Sequence, residues 1–148
     1  MRVSGIALRA FQGLVVLRAA YAILLCTGTL IFRFGHGNYI AIEETLGHVL
    51  MGLPLWYYQV WAGFVGLYTL SALLLVLRMR LALACYVVAF ATDFILSLLW
   101  FQQPGMDRAY YGNANLVEWT LNAIDLGVIS LMLLAGSWVF ARPKKTHH

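Results

Sequence analysis

Four stretches of this chain are apolar over roughly 20 residues each, the length a helix needs to cross a hydrocarbon core about 30 Å thick. They run from Gly13 to Phe32, Trp56 to Leu77, Leu81 to Phe101 and Leu116 to Phe140. Lipid offers no water to satisfy backbone N–H and C=O groups, so such stretches must close their hydrogen bonds internally, as helices. The expected fold is all-α: an integral membrane four-helix bundle forming one transmembrane domain over the 148 residues. Composition agrees, because 62% of the residues are hydrophobic and 11% charged, against about 45–50% and 25% in soluble domains. The first stretch is too long for a signal peptide and has no small-x-small cleavage site after it.

The loops assign an orientation. Arg2 and Arg9 precede the first span, Arg78 and Arg80 separate the second and third, and Arg142, Lys144 and Lys145 follow the fourth. The other two loops mix Arg33 and Arg108 with Glu43, Glu44 and Asp107. By the positive-inside rule both termini are expected in the cytoplasm, in a bacterial inner membrane. The net charge of +4 is thereby accounted for without a nucleic-acid partner; the lipid bilayer is the expected one.

Arg78-Met79-Arg80 is short enough to force an antiparallel hairpin. The long connection from Arg33 to Leu55 opens with Gly35, His36, Gly37 and Asn38, a loop signal. Ile40 to Met51 reads as a short interfacial amphipathic helix, ended by Gly52-Leu53-Pro54. Trp56, Tyr57, Tyr58, Trp61, Tyr110, Tyr111 and Trp119 suit an aromatic belt at the outer interface, and Pro104-Gly105 marks a turn. Ala62, Gly63 and Gly66 are expected to pack inside the bundle. Cys26 and Cys85 read as buried free thiols. Glu44 and His48, four residues apart with His36 nearby, are weak metal candidates, and no metal is expected.

Polar residues within the spans are costly and point to a site. Glu118, Asn122 and Asp125 follow an i, i+4, i+7 pattern that a helix places on one stripe, which Asn115 extends. Tyr86, Asp93, Ser97 and Trp100 share a stripe on the third span. Asp93 lies 8 residues from the outer end of its span and Asp125 lies 9 from the outer end of its own, or roughly 12 and 14 Å deep at 1.5 Å per residue. Thr27, Tyr68 and Thr69 fall in the same layer. Two neighbouring carboxyls in a dry site cannot cheaply both be charged, so such a pair would share a proton. Asp93 and Asp125 are therefore the candidate catalytic acids, with Glu118, Asn122, Arg18, Tyr68 and Ser97 as candidate ligand-binding residues. Arg18, near the start of the first span, either snorkels to the inner surface or pairs with an acid.

The segments Leu17-Arg18-Ala19, Gly52-Leu53-Pro54, Leu73 to Leu83 (LLLVLRMRLAL) and the glycine-bearing last span together resemble the DoxX-like superfamily of small four-helix membrane proteins. Where that family often carries a glutamate early in the second span, this chain has Ala62-Gly63-Phe64-Val65-Gly66. The resemblance implies an accessory subunit or factor of a membrane redox system, with a quinone as the implied cofactor. Two further functions fit the polar layer: an enzyme using the Asp pair on a lipophilic substrate (quinone, isoprenoid or sterol-like), and a proton-coupled small-molecule transporter. A membrane protein partner or homo-oligomer is compatible with each.

Overall fold

The structure, a computed structural model, describes residues 5–35, 42–106 and 114–140, with the side chains of 114 and 115 outside that description. All regular structure among these residues is helical: α1 (Gly5–Phe34), α2 (Glu44–Gly52), α3 (Leu55–Val76), α4 (Leu81–Phe101), α5 (Ala114–Leu134) and α6 (Gly136–Val139). Four of the helices are long and apolar enough to cross a membrane, at 30, 22, 21 and 19 residues. The multi-pass reading of the chain follows from these four.

Helix α1 begins at Gly5, well before Gly13, because the flanking segment carries the same buried stripe as the span. Leu8, Phe11, Val15, Ala19, Ala22 and Cys26 recur at three- and four-residue spacing and are all buried, so one helix face continues inward. Gln12 ties this end down by donating to the Leu75 carbonyl of α3 at 3.2 Å.

Helices α3 and α4 are the most extensively packed pair, α1 lies against α3, and α5 lies against α4. No comparably close packing joins α1 to α5, and this leaves a cleft between them. The α3–α4 hairpin closes through a left-handed residue, Arg78, at φ 55°. The Arg78 N–H reaches Leu75 O at 3.0 Å and the Met79 N–H reaches Leu74 O at 2.8 Å, the paired bonds of a Schellman cap that satisfies the last carbonyls of α3. Ser71 adds a bond across the hairpin, to the Ala82 carbonyl at 2.7 Å. At the opposite end, Gly105 adopts φ 89°, the conformation for which the Pro104-Gly105 turn needs glycine.

Two expectations are corrected. Ala62, Gly63 and Gly66 are exposed rather than packed inside, and a Cβ added at Gly63 or Gly66 would meet nothing within 4 Å. The larger side chains Phe64, Val65 and Tyr68 take the buried face of α3 instead, where they make more van der Waals contact with neighbouring helices than small residues can. The last span is also not one helix to Phe140. It breaks at Ala135 (φ −107°, ψ 20°) before the short α6, where Gly136 and Ser137 weaken helix propensity.

Helix α2 starts with Glu43 as its cap, whose carboxylate accepts from the N–H groups of Thr45 at 3.2 Å and Leu46 at 3.0 Å. Hydrogen bonding from Thr45, then Leu46, holds the Glu43 carboxyl below its usual value of 4.5. A depressed folded-state value means that the cap is intact above the ordinary glutamate range and is lost as pH falls through the depressed value. Amide hydrogen exchange at Thr45 and Leu46 is accordingly expected to accelerate, relative to the rest of α2, as pH falls below the ordinary glutamate range, and to do so at neutral pH in Glu43→Ala. Equal acceleration along all of α2 would contradict the cap assignment. Against α1, a Cβ at Gly47 would come within 3.1 Å of Phe32 Cζ, so glycine permits the close approach of the two helices.

Candidate functional site

Arg18 of α1 turns into the protein instead of snorkelling, and is 7% exposed. Its Nε donates to both carboxylate oxygens of Asp125 at 3.1 Å, and its Nη2 donates to Asp125 Oδ2 at 2.9 Å. The same Nη2 reaches Asp93 Oδ2 at 2.8 Å. One cation from α1 thus joins carboxylates from α4 and α5 across the cleft. Burial strips hydration from a charge, and pairing offsets that cost.

Two tyrosines complete the cluster. Tyr68 donates to Asp125 Oδ2 at 3.0 Å, with Asp93 Oδ2 slightly farther at 3.4 Å. Tyr86 donates to Asp125 Oδ1 at 2.5 Å. The Arg18 guanidinium carbon also lies 4.5 Å from the centroid of the Tyr68 ring, a cation–π distance. Every hydrogen-bond partner of Asp125 among the described residues is a donor, and each matches an acceptor oxygen of the carboxyl.

The two aspartates are unequal. Asp125 is fully enclosed, at 0% exposure, whereas the Asp93 side chain is 22% exposed. That exposure opens on a cavity of about 450 Å³ lined by all four long helices and by α2. Arg18 and Asp93 lie at its deep end; Ser97, Glu118 and Asn122 line its walls, with Tyr21, Tyr57, Trp61, Phe64 and Trp100. Ile42, Leu46 and Leu50 cover the end nearest α2. From Arg18 to Thr29 of α1, both lining residues, the cavity extends roughly 16 Å at 1.5 Å per residue. Leu24, Leu25 and Val117 line it where α1 faces α5 and are themselves exposed, so its rim on that side is apolar.

The structure therefore brings Arg18, Tyr68, Asp93 and Asp125 into one hydrogen-bonded cluster and places Ser97, Glu118 and Asn122 on the adjoining walls. Asp125 does not line the cavity. Thr69 bonds its own helix through Val65 O, and Thr27 lies on a different groove between α1 and α3. Glu44 and His48 are 4.0 Å apart and highly exposed, and no group of three metal-binding side chains occurs among the described residues. His36, Tyr110 and Tyr111 lie outside the described residues, as does the side chain of Asn115.

Tyr86 was recognisable as a member of the Asp93 stripe, seven residues earlier, but its bond to Asp125 depends on how α4 and α5 meet. Tyr57 and Trp61 belong to the expected interfacial belt and Trp100 to the Asp93 stripe, and all three line the cavity. Those rings do sit toward one end of their helices, and Tyr57 and Trp100 are buried, with the Tyr57 hydroxyl donating to Leu96 O at 2.9 Å. Comparison with known proteins yields no match among family models, curated proteins or solved structures.

Proposed function

We propose that this multi-pass membrane protein holds a lipophilic molecule by a small polar head, serving as an accessory subunit or factor of a membrane redox system. The observation that carries this reading is the roughly 16 Å cavity with apolar walls and Arg18 and Asp93 at its deep end. Its volume of about 450 Å³ falls within the range of small-molecule sites, about 300–1,000 Å³. Arg18 Nη1 makes no hydrogen bond among the described residues, and Asp93 is a cavity-facing acceptor. Together they suit a head that both accepts and donates. The DoxX-like layout supports a quinone-linked role in a bacterial inner membrane, with both termini cytoplasmic and a membrane protein or a second copy as partner.

A second reading, acid–base catalysis on the lipophile, draws on Tyr68, whose hydroxyl lies between the two aspartates. In that scheme Asp93 touches the substrate and Asp125 acts through Tyr68.

Purification in mild detergent, followed by organic extraction and mass spectrometry, is expected to recover a lipophile near one per chain. Ser97→Phe, which fills the cavity wall, is expected to lower that yield at least about tenfold. A short-chain ubiquinone is expected to quench tryptophan emission saturably in the emptied protein, since Trp61 and Trp100 line the site. Non-saturable quenching, together with no lipophile retained, would overturn the binding reading.

A further inference from the structure

We propose that the cavity selects lipophilic molecules whose head carries a positive charge, an amphiphilic amine being the simplest. This rests on the reading of the cavity as a ligand site and not on a quinone as its occupant, since a quinone head carries no charge. The argument begins with the distribution of charge. Arg18 makes three bonds to Asp125, and that pair is neutral as a unit. Asp93 shares the already committed Nη2 and, when ionised, is the carboxylate without a cation of its own, facing the cavity.

Glu118 is a second carboxylate on the wall, with no ion pair among the described residues. Among the described residues, Arg18 is the one Lys or Arg side chain in the lining. With every group ionised, one positive and three negative charges among the described residues leave the site at −2. In a low-dielectric surround such an imbalance is far more costly than in water; a proton shared between the acids relieves part of it, and a bound cation relieves it without neutralising either acid.

The walls supply the other half of cation recognition. Tyr21, Tyr57, Trp61 and Trp100 line the same space, and the faces of such rings attract organic cations. An anionic head would instead confront Asp93 and Glu118. Leu24, Leu25 and Val117 form the apolar rim toward the α1–α5 cleft, where an alkyl tail can leave for lipid while its ammonium stays at Asp93. Arg18 Nη1 is left to donate to a hydroxyl or ether oxygen near that ammonium.

The test uses three probes with one tail and different heads: decylamine, decanol and decanoate, titrated at pH 7 into the full chain in phosphatidylcholine nanodiscs. At that pH an alkylammonium is charged, as lysine is. Tryptophan emission is read, with empty nanodiscs correcting for partition into lipid. Decylamine is expected to half-saturate at about tenfold lower concentration than decanol, with decanoate weakest. Asp93→Asn is expected to abolish the preference, and Glu118→Gln, on the cavity wall, to reduce it; if Asp93→Asn does not fold, Glu118→Gln decides. Equal affinity for decylamine and decanol, or tightest binding of decanoate, overturns charge selection while leaving the ligand site standing. Saturation by none of the three overturns both.

Discussion

Arg18→Met is expected to destabilise the protein by about 3–5 kcal/mol, the cost of leaving a buried charge without its partner. Asp125 has no exposure through which water could replace the lost guanidinium, and Tyr68 and Tyr86 supply hydroxyl donors but no positive charge. The double variant Arg18→Met with Asp125→Leu is expected to recover part of the loss, because apolar residues of similar size often replace a buried ion pair at little cost, while the Tyr68 and Tyr86 hydroxyls lose their acceptor. The reversible SDS-unfolding midpoints of Arg18→Met, Asp125→Leu and the double variant give the coupling directly. A single-variant loss below about 1 kcal/mol would place the pair among exposed bridges and would be incompatible with the enclosed geometry.

The two aspartates are expected to separate stability from binding. Asp125→Asn replaces an acceptor oxygen by an NH₂ donor within a shell composed of Arg18, Tyr68 and Tyr86 donors. At least one facing donor is then unsatisfied, and a loss of about 2–4 kcal/mol is expected. Asp93→Asn leaves the Arg18–Asp125 bonds in place at a partly exposed position, and the expected loss is under about 1 kcal/mol. Its effect should appear in ligand affinity, since Asp93 and not Asp125 lines the cavity. Unfolding and binding titrations on both variants check this; equal destabilisation by the two would show that the cluster responds as one structural unit.

This asymmetry bears on how the cluster would act. A pair of interchangeable acids suits proton exchange between them. Here one carboxylate is saturated by donors and joins three helices, while the other is left with spare acceptor capacity facing the cavity. Asp125 is thereby a positioning residue for Arg18, and Arg18 in turn positions Asp93.

Much of the layout was legible from residue order. The four apolar stretches, the Arg78–Arg80 hairpin, the Pro104-Gly105 turn and the common depth of Asp93 and Asp125 all follow from fixed dimensions: the thickness of the bilayer and a rise of 1.5 Å per residue. Depth along a helix is a property of the chain alone. Which way each face points, and how far apart two helices stand, is not. Arg18 could reach water by snorkelling or pair with an acid, and packing of α1 on α3 decided for the acids by turning that face inward. The exposure of Gly63 and Gly66, the bond from Tyr86 to Asp125, and the cleft between α1 and α5 have the same origin. Sequence alone thus determined the membrane-crossing helices and the level at which their polar groups meet. The tertiary structure decided which of those groups touch and which faces a cavity, because helix rotation and separation depend on side chains from different helices fitting together.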